Sequence, residues 1–243
     1  MTVELSGESK EEPTICIRHL PDILKLPYYW SLELCGDKLG TIEWDEEYLR
    51  KQKIDTFRTF LLGGCASPTT LRRFEDFAQK FHWSGTPLVI ALELESILHL
   101  FRLRNTPSSL VRGDLLSAPL SESSVDYVRL DYLQTFIPPE DQVILLNELK
   151  RILSPHGIIS SVLWTVPKSN PAGISFPDNR YFGSRYASIP FCADGMLLLS
   201  EFSLEKLCTD CGLTCEIQNR KKEVHWTGKN IQVTHVVMRK RDN

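Results

Sequence analysis

No hydrophobic run in this 243-residue chain approaches the roughly 20 residues that a membrane-spanning helix requires. Excess positive charge is also missing: 28 basic against 31 acidic side chains leave a net charge of −3. That balance argues against binding nucleic acid through a broadly basic surface. The one short basic run, Arg220 to Lys222, reads as a solvated loop. The opening MTVELSGESKEE is polar and acidic, unlike a signal or transit peptide, and residues 1–13 are expected to be a disordered tail. Cysteines number seven, an odd count without a secretion signal, so free thiols in the cytoplasm or nucleus are expected. KLCTDCGLTCEI groups Cys208, Cys211 and Cys215 but lacks a nearby fourth ligand, so it reads as ordinary buried thiols without metal.

What is present is alternation. The segment 14–55 mixes LPDILKLPYYW with TIEWDEEYLRKQ and is expected to be an N-terminal helical cap. From residue 56 to 243 apolar runs and amphipathic stretches take turns. FLLGG reads as a strand, and LRRFEDFAQKF follows with Leu71, Phe74, Phe77, Ala78 and Phe81 on one helical face. PLVIALEL is a second strand run, with further strands at Leu110–Val111 and Val125–Leu130 and a helix at Ser96–Arg104. PPEDQVILLNELKRIL is a helix with apolar Leu145, Leu146, Leu149, Ile152 and Leu153, and its last turn carries Lys150 and Arg151. IISSVLW is a strand, and SLEKLCTDCG a short helix with Ser203 as N-cap and Gly212 as stop. Two closing strands, LTCEIQ and NIQVTHVVMRKR, complete a three-layer α/β domain with a mostly parallel sheet and an antiparallel C-terminal strand. Ligands of such sheets bind beyond the carboxyl ends of the strands, which directs attention to the loops after Leu62, Leu92, Val111, Leu130 and Trp164.

The order of motifs resembles the class I S-adenosylmethionine-dependent methyltransferases. RGDLLSAPLSESSVDYV is similar to the family's "GD, apolar stretch, P, polar turn, D" segment, with Gly113, Asp114, Pro119 and Asp126 in register. LLNELKRILSPHG resembles its "L-x-E-x-x-R-x-L-x-P-x-G" helix and turn through Leu146, Glu148, Arg151, Leu153, Pro155 and Gly157. The resemblance implies a Rossmann-like fold, S-adenosylmethionine as cofactor and methyl transfer to a small-molecule acceptor. It implies cofactor contacts at Gly63, Gly64, Ala66, Glu93, Asp114, Leu115 and Asp131. Glu93, with Glu95 as fallback, would accept both ribose hydroxyls, since a carboxylate is acceptor-only. Asp114 and the Leu115 N–H would flank the adenine. Substrate-side candidates are Tyr132, Tyr181, Arg185 and Tyr186, the last three in the aromatic, cationic loop SFPDNRYFGSRYASIPF. No catalytic base is identified; Phe136 stands where a histidine is common.

The glycine loop departs from the family pattern "D-x-G-x-G-x-G". Leu62 stands in place of the acid that helps hold the cofactor's amino-acid end, and Gly64, Ala66 and Pro68 fill the glycine positions. Ser67 and Pro68 suit the start of a helix. Glu93 follows Gly64 by 29 residues, against about 20 in the comparable nucleotide-binding pattern, so HWSGTP is expected to carry extra loop. Two readings follow: a working methyltransferase, or a catalytically inactive methyltransferase-fold protein that binds a protein partner. Aminopropyl transfer from a related cofactor is a third, weaker reading.

Overall fold

The computed structural model describes residues 41–54, 56–64, 68–93, 108–131, 133–137, 139–165, 174–176, 196–198, 201–226 and 229–241. Seven strands form one sheet in the order β3-β2-β1-β4-β5-β9-β8, and β6 pairs with β7 apart from it. The strands are β1 (Thr59–Gly63), β2 (Leu88–Glu93), β3 (Ser109–Arg112), β4 (Val125–Asp131), β5 (Leu153–Thr165), β6 (Ile174–Phe176), β7 (Met196–Leu198), β8 (Leu213–Trp226) and β9 (Lys229–Lys240). β1 to β5 are parallel, and β9 enters antiparallel between β5 and β8. This is the expected mostly parallel sheet with its antiparallel C-terminal strand.

Among the described residues the α-helices are α1 (Thr41–Gln52), α2 (Pro68–Phe81), the single turn α3 (Leu133–Phe136), α4 (Pro139–Ile152) and α5 (Glu201–Asp210). Two apolar clusters lie on opposite faces of the sheet. On one, α1 and α2 cover Phe60, Leu62, Ala91 and Tyr127, with Leu71, Phe74, Phe77, Ala78 and Phe81 turned inward at their helical spacing. Phe77 meets the rings of Phe60, Phe74, Phe81 and Tyr127 at 5.0–6.3 Å between centroids. On the other face, α4 and α5 cover Leu61, Val128, Leu130, Ile159 and Val236. Each large side chain so buried contributes roughly 1.5–3 kcal/mol. No helix among the described residues is long and apolar enough to cross a membrane.

Three boundaries differ from the sequence pattern. One is at β8, which continues from Leu213 to Trp226 through Arg220 to Lys222, expected as a loop, because β9 pairs with it over that stretch. Leu153 leaves the α4 face and opens β5, pairing with Val125, because the chain must turn into the sheet; a register shift follows before Tyr127 meets Ile158. Helix α5 begins at Glu201, so Ser203 lies in its first turn and does not cap it. Gly212 ends that helix as expected, at φ +71°, a left-handed conformation that glycine adopts without penalty. Lys150 donates to the Cys211 carbonyl at 2.7 Å, tying the end of α5 to α4. The expected disordered tail, much of the expected N-terminal cap and the expected Ser96–Arg104 helix lie outside the described residues.

The motif residues hold the fold. Asp126 Oδ2 accepts the backbone N–H groups of Arg58 and Thr59 at 2.9 and 3.1 Å, which sets β1 against β4. Arg151 donates to both carboxylate oxygens of Glu148 and to the carbonyls of Ala118 and Leu120, locking α4 to the turn after β3. The Arg151 hydrogen bonds hold the Glu148 carboxyl below its usual range. A depressed carboxylate stabilises the fold above its unfolded pKa and loses that contribution as pH falls through the folded value. The melting-temperature gap between wild type and Glu148→Gln should therefore be full at pH 7 and close below about pH 4. A gap that persists at lower pH would contradict this.

Candidate functional site

Strand order reverses between β1 and β4, the position at which open α/β sheets form their ligand crevice. The ends of β1, β2, β3 and β4 bring Gly63, Glu93, Arg112 and Asp131 to its rim. Gly64 adopts φ +70° and donates its N–H to the Leu92 carbonyl at 3.3 Å. The strand thus turns where the sequence places its first retained glycine. Between Gly64 and Glu93, the extra length is taken up by the 14-residue α2 and by the turn around Gly85. In that turn Trp83 lies under the Arg58 guanidinium at 4.6 Å.

Both glycines are needed for close packing. A Cβ on Gly63 would stand 2.9 Å from Leu115 and 3.0 Å from Leu130; one on Gly64 would stand 3.0 Å from Leu133. Leu115, read from the sequence as an adenine neighbour, is therefore buried beside Gly63. Asp114 caps the short turn after β3, its Oδ1 accepting the Leu116 N–H at 2.9 Å, and its side chain is exposed. Gly113 packs against Pro119, where a Cβ would meet the ring at 2.7 Å. Glu93 ends β2 in register with Arg112. Ala66, Glu95, Tyr132, Tyr181, Arg185 and Tyr186 lie outside the described residues.

Leu62 is fully buried among the aromatic side chains under α2, so the family's acidic position here belongs to the core. Its neighbour across the sheet is Arg129 of β4. Arg129 is also fully buried, and a buried guanidinium must be paired. Its Nε and Nη2 donate to Asp131 Oδ1 at 2.9 and 2.6 Å. On its other side Nη1 pairs with Asp45 Oδ2 of α1. Asp45 Oδ1 in turn accepts from Ser160 Oγ at 2.5 Å and lies 2.7 Å from His235 Nε2. Ser160 and His235 do not form a nucleophile–base relay, since hydroxyl and carboxylate share one imidazole nitrogen and all three residues are buried.

This network escaped the sequence pattern. Arg129, a charge set between the apolar Val128 and Leu130 within a strand, is the available signal. Asp45 had none, because it stands among the acids of TIEWDEE. Beyond it, Tyr48 of α1 lies in a cleft of about 220 Å³ with Glu216 and Arg239. Tyr48 donates to Glu216 and accepts from Arg239. Burial pushes its phenol up to about 12. Cys208, Cys211 and Cys215 remain free thiols at the α5–β8 turn, and the contact with Cys215 together with burial pushes the Cys208 thiol up.

No protein-family model matches the chain, and no curated protein matches it in sequence. Solved structures do. A putative sarcosine dimethylglycine methyltransferase from Galdieria sulphuraria superposes with a TM-score of 0.56 at 15% identity, over 84% of this chain and 85% of that one. The 1,6-didemethyltoxoflavin-N1-methyltransferase of Burkholderia thailandensis, with bound 1,6-didemethyltoxoflavin and S-adenosylhomocysteine, gives 0.55 at 13% identity, over 98% and 94%. A putative methyltransferase from Haloferax volcanii, in complex with the activator Trm112, gives 0.53 at 15%, over 87% and 96%. The fold is that of the class I S-adenosylmethionine-dependent methyltransferases.

Proposed function

We propose that the chain binds S-adenosylmethionine at the carboxyl ends of β1 to β4 and transfers its methyl group to a small-molecule acceptor. The observation that carries this reading is the Gly64 turn at φ +70°, with Glu93 ending the neighbouring strand and Asp131 ending the strand on the other side. These groups fit the cofactor's chemistry. Glu93 would accept the ribose hydroxyls, and Asp114 with the Leu115 N–H would border the adenine. Asp131 would supply, from β4, the carboxylate that Leu62 does not supply from β1. The bound cofactor brings an electrophilic methyl group on a sulfonium, and such transfer asks of the protein chiefly alignment and exclusion of water. Tyr132, Tyr181, Arg185 and Tyr186 are proposed to shape the acceptor side.

A second reading has its own support. Leu62 in the core and Leu133 packed on Gly64 suit a methyltransferase-fold subunit that works by binding a protein partner, without catalysis. The solved Haloferax complex offers a precedent for a protein partner on this fold. Calorimetric titration with S-adenosylmethionine separates the two. Saturable heat is expected, and Glu93→Ala should weaken binding by about 100-fold, the loss of two hydrogen bonds to a charged group. Absence of heat and of any thermal shift at millimolar cofactor would overturn the enzymatic reading and leave the binding subunit.

A further inference from the structure

The buried guanidinium of Arg129 joins two carboxylates that do not touch each other. One, on Asp131, ends β4 at the crevice and is 22% exposed; the other, on Asp45, is 1% exposed within α1. Both bonds from Arg129 to Asp131 land on Oδ1, and Oδ2 takes none from the described residues. The opposite edge of the same guanidinium meets Asp45. A guanidinium is a rigid planar fork, so fixing one edge fixes the direction of the other. A flexible ammonium in its place would transmit no such orientation.

Asp45 is itself held from two further strands, by Ser160 of β5 and His235 of β9. Helix α1 has independent anchors as well: Tyr48 bonds to Glu216 and Arg239, and Glu46 pairs with Lys80 of α2 at 2.6 Å. Asparagine at position 45 would therefore keep the helix seated while removing the charge that aligns Arg129.

We infer that Arg129 and Asp45 are positioning residues that set the Asp131 carboxylate at the crevice, coupling the seat of α1 to the binding of a ligand that carries an ammonium group. The ligand half of this inference rests on the cofactor reading above, because the amino-acid end of S-adenosylmethionine brings that ammonium. The coupling half rests on the buried network alone.

The two halves are tested in separate arms. In the first, affinities for S-adenosylhomocysteine and for 5′-methylthioadenosine, which lacks the amino-acid end, are measured by calorimetry on the full chain. Asp45→Asn should weaken S-adenosylhomocysteine about tenfold and leave 5′-methylthioadenosine within about twofold, since only one of them offers an ammonium to Asp131. Arg129→Lys should reproduce that split. The double variant Asp45→Asn/Asp131→Asn should be no weaker than Asp131→Asn, because both changes interrupt one path. Equal losses for both nucleosides, or additive losses in the double variant, would overturn the positioning role.

In the second arm, hydrogen exchange of the α1 amides is followed without ligand. Asp131→Asn should speed their exchange about tenfold although the hydrogen bonds of Asp131 among the described residues go to Arg129 and not to α1, since reciprocity requires each end of a coupled pair to sense the other. Unchanged exchange would overturn the coupling. If wild type binds neither nucleoside, the cofactor reading fails, and the exchange arm still decides whether Arg129 couples α1 to the crevice.

Discussion

Arg129→Met should lower the melting temperature by about 10 °C or more. Methionine fits the stem of the arginine and removes only the charged fork, but Asp45 is then left as a buried carboxylate without its cation. Breaking a buried ion pair in this one-sided way costs about 3–5 kcal/mol, a large part of the 5–15 kcal/mol that stabilises a typical domain. In a chain of this size each kcal/mol moves the midpoint by about 2–4 °C. Ser160 still donates to Asp45, with His235 Nε2 beside it, which keeps the loss finite. Adding Asp45→Asn to Arg129→Met should recover part of the stability, since the uncompensated charge disappears. Thermal melts of the three variants check this. A double variant that loses the sum of the singles would show that the guanidinium acts through packing and not through charge.

Gly64→Val should destabilise the fold by about 3 kcal/mol, from two separate causes, and with the turn lost abolish the cofactor binding proposed above. The backbone at φ +70° lies in the left-handed region, which costs a residue with a Cβ about 1–2 kcal/mol, and a β-branched one the most. The added carbon would also press on Leu133, whose Cβ and both methyl groups stand 3.0–3.1 Å away, and overpacking costs about 1–3 kcal/mol. The causes separate experimentally. Gly64→Ala combined with Leu133→Ala should relieve the packing and leave the backbone cost, so its melting temperature should lie between those of wild type and Gly64→Val. If Gly64→Val melts within about 2 °C of wild type, the turn is not held as described and its role in a ligand site fails with it.

How much of this was legible beforehand differs by element. Helix α2 was legible because five apolar residues recur at helical spacing, and all five are buried. The C-terminal order was legible because Gly212 marks a stop between an amphipathic helix and a strand. Asp126 and the Glu148–Arg151 pair were found by their motif, but as family marks; that one clamps β1 to β4 and the other ties α4 to a turn emerges only from the contacts. Gly63 was read as a cofactor contact, and its packing against Leu115 and Leu130 joins residues that lie more than 50 positions apart.

The sequence by itself determined the alternation of strands and helices, the faces that α2 and α4 bury and the turn at Gly64. These are properties of short windows, set by side-chain period and backbone sterics. Only the tertiary structure decided which charged groups meet beside Leu62 in the sheet. Leu62 lies beside Arg129, and Arg129 draws its carboxylates from Asp131 two residues on and from Asp45 in a helix 84 residues before it. A buried charge must find its partner in space wherever the chain supplies one. No local pattern records that search, so the pairing at the crevice became visible only when the sheet and α1 were assembled.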